Sequence, residues 1–168
     1  PDAGITVSTR IRLARNLAGI PFPTKAATRH RQAVLQMVRE AVAGVPLMDG
    51  CIDVKMSSLA ELDRVFLLER HLISREHCST RKTGNSVFVA RDENCSIMVN
   101  EEDHLRLQVM TAGMQLEQLW QLADDVDSQL TEQLQYAYSE DLGFLTACPT
   151  NVGTGIRASV MLHLPGLV

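Results

Sequence analysis

The sequence predicts an α+β fold in which a mainly antiparallel sheet is flanked by helices. Three observations predict it: runs of alternating apolar and polar residues, a hairpin pattern in the middle of the chain, and amphipathic stretches between the strand groups. The chain has 168 residues, of which 45% are hydrophobic, so it can form one domain, or a large piece of one, around a real core.

The first elements are a strand followed by a helix. Residues 5–12 alternate apolar and polar side chains, and the segment 20–23, which holds two prolines, then breaks regular structure. Residues 26–43 predict a helix that ends at Gly44. Its apolar stripe consists of Val34, Met37, Val38, Ala41 and Val42.

A second helix is predicted to start at a capping box formed by Ser58 and Glu61. In such a box the serine side chain accepts a hydrogen bond from the backbone N–H three residues later, and the glutamate reaches back. The predicted buried face of this helix consists of Leu59, Leu62, Val65, Phe66 and Leu72.

The second half of the chain predicts a hairpin, a long helix and two further strands. Residues 85–90 and 95–100 are rich in β-formers and flank a polar turn. Residues 114–134 predict an amphipathic helix, and segments 143–147 and 157–164 predict strands around a loop. The helix is predicted to bury Leu116, Leu119, Trp120, Ala123, Val126 and Leu130.

Charge and composition narrow the function. The net charge of -4 argues against a general nucleic-acid binder, which usually carries a basic excess. Of the 16 basic residues 13 are arginine, which suits bidentate contact with phosphate, although a GC-rich genome would give the same bias. No signal peptide or bilayer-spanning run is visible, and the four cysteines show no metal-site spacing. Free thiols in a reducing cytoplasm are therefore expected.

Three segments carry residues that suggest chemistry. Arg10 and Arg12 project from one face of the first strand, which favours an anion between them unless that face is simply solvated. The acidic run that begins at Glu101 is compatible with a metal site, a general base or an exposed turn.

The third segment is the glycine-containing loop between Cys148 and Arg157. It offers backbone N–H groups to an anion, but it lacks the Lys-Ser/Thr pair of a Walker A loop and the third glycine of a Rossmann fingerprint. Cys148 is either a reactive thiol or a structural cysteine before a proline turn.

Together these segments resemble the ATP:guanidino phosphotransferases, the family that includes creatine and arginine kinases. The matching motifs are STRIR with the following LARN, NEEDHLR, CPTNVGTGIR and the closing ASVMLHLP, in that order. Within the family the chain is most similar to bacterial protein-arginine kinases. The pointers are RIRLARN, ERHLIS and PTNV, together with Met161, where small-molecule phosphagen kinases generally carry histidine.

The resemblance implies a glutamine-synthetase-like catalytic domain that uses ATP and Mg²⁺, without a metal site built from the protein. It also implies that Glu102 is the catalytic base and that Cys148 is the active-site cysteine beside the guanidinium. The phosphate-binding arginines implied by the motifs are Arg10, Arg12, Arg106 and Arg157. The remaining nucleotide contacts implied are Ser8, Thr9, Ile11, His71, Ala158, Ser159, Val160 and Met161.

The family carries a further loop, with another arginine and a second carboxylate, beyond the point where this chain stops. Residues 1–168 are therefore expected to be the N-terminal and central part of the catalytic domain, truncated at the C-terminus and inactive as a fragment. The expected acceptors are proteins with exposed arginines, and the resemblance also implies a bacterial chaperone–protease partner. Two alternatives stay open: a phosphagen kinase acting on a small guanidine, and a non-catalytic nucleotide- or phosphoarginine-binding module.

Overall fold

The computed structural model describes residues 5–167, and its main feature is a six-stranded sheet. The strands are β1 (Thr6–Arg15), β2 (Ile52–Lys55), β3 (Ser86–Val89), β4 (Cys95–Val99), β5 (Leu105–Ala112) and β8 (Ile156–Leu162), in the order β2-β3-β4-β5-β1-β8. All neighbouring strands in this sheet are antiparallel, which confirms the predicted fold class. A separate small ribbon pairs β6 (Tyr138–Ser139) with β7 (Gly143–Phe144).

Four helices accompany the sheet. They are α1 (Thr28–Ala43), α2 (Glu61–Glu69), α3 (Arg75–Ser79) and α4 (Leu116–Thr131). Single 3₁₀ turns lie at Pro46–Met48, Met56–Ser58, Pro149–Asn151 and Pro165–Leu167. Among the described residues, none of the helices has the length and apolar character needed to cross a bilayer.

The two faces of the sheet are covered unequally. One face packs against α1 and α4 in the main core, to which Ile11 and Leu13 of β1 contribute. A smaller core lies on the other face, where Val87 and Met98 pack near Leu72 and Ile73. Because that smaller core contains no residue of β1 or β8, the polar face of these two strands stays open for a site.

The prediction for the second helix is wrong at its start and for three of the five residues of its buried face. The other two, Leu59 and Leu72, do contribute to the smaller core, but they lie outside α2. Ala60 precedes α2 without a side-chain cap, while Ser58 lies in a 3₁₀ turn and donates to the carbonyl of Lys55. Leu62 and Phe66 are 78% and 56% exposed, and Val65 is exposed too. The buried side chain of α2 is instead that of Arg64.

Arg64 is buried because its guanidinium is satisfied by backbone carbonyls. It donates to the carbonyl oxygens of Leu59, Met56, Cys78 and Thr80, which lie on both sides of α2 in the chain. Because the buried charge has several acceptors, its desolvation is compensated. Helix α2 is therefore anchored by the side chain of Arg64 and not by its apolar residues.

Other predicted elements are confirmed with changed lengths. Helix α1 ends before Gly44, the 85–90 and 95–100 runs form the β3–β4 hairpin, and β8 covers the predicted last strand. The predicted 143–147 strand is only the two-residue β7, and strands β2 and β5 were not predicted.

In α1 and α4, three further residues predicted to face the core are exposed instead. Met37 of α1 and both Leu116 and Trp120 of α4 are 37–39% exposed. The predicted stripes are otherwise correct, since Leu119, Ala123, Val126 and Leu130 of α4 are buried.

Candidate active site

Four arginines from three neighbouring strands meet on the open face of the sheet. Arg10 and Arg12 lie on β1, Arg106 on β5 and Arg157 on β8, where Arg157 pairs directly with Arg12. They line a cavity of about 380 Å³ together with His71 and parts of α3. The alternation of side chains along each strand places all four guanidinium groups on the same face.

The arginine cluster is electrostatically strained without an anion. Burial, followed by the charges of Arg10, Arg106 and Arg157, lowers the pKa of Arg12 to about 10. Burial and the same kind of repulsion also lower the pKa of Arg10. Nε of Arg12 is buried and has no hydrogen-bond partner among the described residues. A polyanion bound here would relieve the repulsion and supply the missing acceptors.

Within residues 5–167, Arg106 is the one member of the cluster that is held by a carboxylate. Its Nη1 donates to both oxygens of Glu101, at 2.6 and 2.7 Å, and Ser74 Oγ donates to Glu101 as well. Burial would raise the pKa of Glu101, but the charge and hydrogen bond of Arg106 and the bond from Ser74 outweigh it and lower that pKa. Glu101 thus fixes the position of Arg106 at the floor of the cavity.

A second cavity, of about 290 Å³, continues from Arg10 along the strands toward β8 residues with smaller or apolar side chains. Met161 pairs with Ser8 across the β1–β8 ladder, so both lie beside the same opening. His71 also lines this cavity, and its backbone has a positive φ of 59°. The carbonyl of His71 accepts a hydrogen bond of 2.5 Å from Gln108 Nε2, which holds this backbone conformation. The cavity is lined by Ser8, Arg10, His71, Met110, Ser159, Val160 and Met161.

A third, narrower cavity of about 90 Å³ brings Glu102 and Cys148 to the other end of the arginine cluster. Glu102 is mostly exposed, but its partial desolvation, followed by the charges of Asp103 and Glu101, raises its pKa. A carboxylate with a raised pKa is a stronger proton acceptor, as a general base requires. Cys148 is half-buried, and its Sγ lies 3.0 Å from Thr150 Oγ1.

The Glu102 and Cys148 segments are joined by a buried polar network. Oδ1 of Asp103 accepts from Asn16 Nδ2 at 2.5 Å and from the N–H of Ala147 at 2.6 Å. Asp103 therefore connects the acidic turn directly to the residue before Cys148, which fixes the two candidate catalytic groups relative to each other.

The far end of the Cys148 loop is anchored by Arg15. Its guanidinium forms a buried ion pair with Asp127 at 2.7 Å, stacks 3.7 Å above the ring of Phe144 and donates to the carbonyl of Thr154. Gly155 has a φ of +67°, and a Cβ there would meet Arg15 Nη1 at 2.5 Å. The close approach and the backbone conformation both require glycine.

Most of the predicted site residues line these three connected cavities, but three do not. Thr9 and Ile11 are buried on the opposite face of β1, where Thr9 Oγ1 donates to the carbonyl of Gly113. Ala158 pairs with Ile11 across the ladder and shares that face. The prediction took whole runs of residues, whereas a strand presents only alternate side chains to one face. We therefore restrict the predicted side-chain contacts on β1 to Ser8, Arg10 and Arg12.

The sequence did not predict the supporting roles of Glu101, Asp103 and Ser74. The motif resemblance singled out Glu102 but gave no role to the two acids beside it. The fold shows that Glu101 is paired with Arg106 and that Asp103 is bonded to Ala147, whereas Glu102 is exposed. No described group of three or more His, Cys, Asp or Glu residues is arranged to hold a metal ion.

A family model and curated proteins resemble this chain in sequence. Residues 33–168 match the family model described as ATP:guanido phosphotransferase, C-terminal catalytic domain. The protein-arginine kinase of Symbiobacterium thermophilum is 48% identical over 171 residues, which cover 100% of this chain and 48% of that protein. That of Caldanaerobacter subterraneus subsp. tengcongensis is 46% identical, with 99% and 50% covered. The chain thus spans about half the length of these curated relatives.

Two solved kinase structures have a similar fold. The duplicated taurocyamine kinase of Schistosoma mansoni, with bound transition-state analogue components, superimposes with a TM-score of 0.86 at 28% identity. That match covers 93% of this chain and 23% of the kinase. Lombricine kinase superimposes with a TM-score of 0.82 at 25% identity, covering 99% of this chain and 50% of that one.

Proposed function

The chain belongs to the ATP:guanido phosphotransferase family, and we propose that the protein of which it is part phosphorylates arginine side chains in proteins. The observation that carries the proposal is the arginine cluster, which opens at one end toward Met161 and at the other toward Glu102 and Cys148. ATP fits this order, because a base, a triphosphate and a transferable phosphoryl group require three successive environments.

In the proposed mechanism the nucleotide lies along the polar face of β1 and β8. The base occupies the cavity at His71 and Met161, while the arginine cluster neutralises the phosphates. Phosphoryl transfer depends mainly on such positioning and charge neutralisation. Glu101 contributes indirectly, since it holds Arg106 in place by two hydrogen bonds.

The acceptor guanidinium reaches the γ-phosphorus through the narrow cavity between Glu102 and Cys148. A guanidinium is a poor nucleophile, because its lone pairs are delocalised and it stays protonated at neutral pH. Glu102 orients the group and takes a proton as the N–P bond forms and the bond from the γ-phosphorus to the bridging oxygen of ADP breaks. The pKa of Glu102, raised by burial and by its acidic neighbours, favours this transfer.

We propose Mg²⁺ as the metal that accompanies ATP. Both oxygens of Glu101 are engaged by Arg106, so the acidic turn offers mainly Glu102 for a metal contact. This fits an ion that is bound chiefly through phosphates and water, as is usual for Mg²⁺ with nucleotides. When bound, the metal neutralises charge on the phosphates as the γ-phosphoryl group leaves.

The nature of the acceptor is the finer part of the proposal. The curated relatives are protein-arginine kinases, whereas the solved structures of similar fold are a taurocyamine kinase and a lombricine kinase, so a phosphagen kinase is the second candidate. Protein acceptors are favoured because the sequence identity to the protein-arginine kinases, at 46–48%, is higher than the identity to the solved structures, at 25–28%. We also carry forward, from the family resemblance, a cytoplasmic location and a chaperone–protease partner as proposals.

The test is a radiolabelled-ATP assay of the full-length protein with either an arginine-rich protein or free L-arginine. We expect label on the protein acceptor. Labelling of free arginine alone would identify a phosphagen kinase instead. ATP binding without transfer to either acceptor would identify a non-catalytic nucleotide-binding module.

A further inference from the structure

A fourth cavity, larger than the three that make up the candidate active site, lies beside Glu102. It has a volume of about 740 Å³ and is bordered by residues of α1, α3 and the loop between α3 and β3. We call it the basic groove and define it by Arg31, Arg81, Lys82 and the acidic turn at Glu102. None of these three basic residues was predicted as part of the site.

The basic groove is continuous with the catalytic cavity. Glu102, Arg106 and Arg157 line both spaces, so a chain lying in the groove would pass directly beside the proposed base. The narrow cavity has only about 90 Å³, enough for the end of a side chain, whereas the groove has room for several residues. Their sizes match an acceptor whose target side chain enters the narrow cavity while its neighbours occupy the groove.

Arg31, Arg81 and Lys82 have no carboxylate partner among the described residues. Arg31 donates to the carbonyl oxygens of Ala26 and Thr83 and to the hydroxyl of Thr28, all of which are neutral acceptors. Among the described residues, the guanidinium of Arg81 donates hydrogen bonds to backbone carbonyls at the end of α3, those of Cys78, Ser79 and Thr80. Neither they nor Lys82 belong to a salt bridge.

The charge of the groove is opposite to that of the chain as a whole. The chain carries a net charge of -4, yet the groove is lined by five cations and three carboxylates. One of those carboxylates, Glu101, is already paired with Arg106. A positively lined concave surface attracts and orients an anionic partner, and the attraction is strongest where both partners lose solvent.

We propose that the basic groove binds the acceptor polypeptide around its target arginine and selects acidic residues near that arginine. The inference rests on the proposed function, because it assigns the groove to a protein acceptor. Arg81 and Lys82 are the specificity-determining residues that are easiest to test, since both are exposed and their side chains form no long-range hydrogen bond or salt bridge with the described residues.

The experiment measures kcat/KM of the full-length protein for three peptides with a single arginine, flanked by Asp and Glu, by Ala and Ser, or by Lys. The variant is Arg81→Glu combined with Lys82→Glu. The matched control combines Arg91→Glu with Lys55→Glu, which makes the same charge change at exposed positions outside the groove. Thermal unfolding and the KM for ATP report whether either protein has changed in fold or nucleotide site.

We expect the wild type and the control to prefer the acidic peptide over the lysine peptide by about tenfold, the size expected for two or three screened ion pairs. The preference should decline as salt is raised, because these charges are partly exposed. The groove variant should lose or reverse the preference while its KM for ATP stays unchanged.

Three results would overturn the inference. Equal phosphorylation of all three peptides by the wild type would leave protein-arginine phosphorylation intact but exclude the groove from acceptor selection. An acidic preference that persists in the groove variant would have the same meaning. Phosphorylation of free arginine with no peptide product would instead refute the proposed function, and the inference with it.

Discussion

Arg106 and Arg157 both belong to the arginine cluster, but the structure predicts that replacing them with alanine has different consequences. Arg157 has an exposed side chain with no hydrogen bond or salt bridge among the described residues. Arg106 binds both oxygens of Glu101, whose side chain is only 3% exposed. Each variant should weaken ATP binding, and only Arg106→Ala should also destabilise the fold.

The magnitudes follow from the contacts that are lost. A charge-assisted hydrogen bond to phosphate contributes about 1.5–3 kcal/mol, so either variant should lose about 10- to 150-fold in ATP affinity. Arg157→Ala should change the free energy of unfolding by less than about 0.5 kcal/mol. Arg106→Ala leaves a buried carboxylate without its cation, which costs about 3 kcal/mol for a pair that is nearly buried.

The stability loss should depend on pH with a defined sign. In the wild type Arg106 outweighs burial and lowers the pKa of Glu101, so the ion pair stabilises the fold above the ordinary carboxylate range and is lost on acidification. Without Arg106, burial is no longer outweighed and should raise the pKa of Glu101 in the folded state. The variant should then recover stability, relative to the wild type, as the pH is lowered from 7 to about 5.

In the full-length protein, calorimetric titration measures the affinity for ATP, and urea unfolding at pH 7 and about pH 5 measures the stability. Arg91→Ala serves as the exposed control. Arg157→Lys should restore affinity only in part, because lysine lacks the planar fork of arginine. Unchanged ATP affinity in both alanine variants would refute the phosphate role of the cluster. An Arg106→Ala protein as stable as the wild type would refute the role of the Glu101 pair.

Three further predictions concern other parts of the site. Glu102→Gln should cut kcat by a factor of about 10² or more with nearly unchanged ATP affinity, and near-normal kcat would exclude Glu102 as the base. Cys148 should react with iodoacetamide faster than the other cysteines. Cys95 should be the most protected, because burial raises its thiol pKa to about 12. Equal labelling of the four cysteines would contradict this prediction. Gly155→Ala should lower stability by roughly 1–3 kcal/mol through the positive φ and the contact with Arg15, whereas Gly19→Ala, with open space around its Cβ, should cost less.

The sequence predicted the fold class and the hairpin because those depend on local periodicity. It failed on α2, where a strong apolar pattern is exposed and Arg64 is buried. That outcome depends on carbonyls of Cys78 and Thr80, which come from a later segment and leave no local signal. Strand β5 was not predicted because its polar residues, among them Arg106 and Gln108, face the site.

For the site, the motif resemblance located the segments and singled out Glu102 and Cys148 within them, but it gave no supporting role to their neighbours. The acids of the NEED turn differ only in their partners: Glu101 holds Arg106, Asp103 holds the Cys148 loop, and Glu102 is left exposed. Arg31, Arg81 and Lys82 were not predicted because they lie outside every motif and meet only when α1 and α3 pack beside the acidic turn.

The central claim, transfer of phosphate from ATP to a guanidino nitrogen at Glu102, is tested most directly by locating the product phosphate. The full-length protein is incubated with ATP and an arginine-rich acceptor, and the modified residue is identified by tandem mass spectrometry under conditions that preserve P–N bonds. We predict phosphate on arginine nitrogen, and a product yield reduced by a factor of about 10² or more with Glu102→Gln. Phosphate on hydroxyl groups or histidine, or phosphoarginine formed at the wild-type rate by Glu102→Gln, would contradict the account.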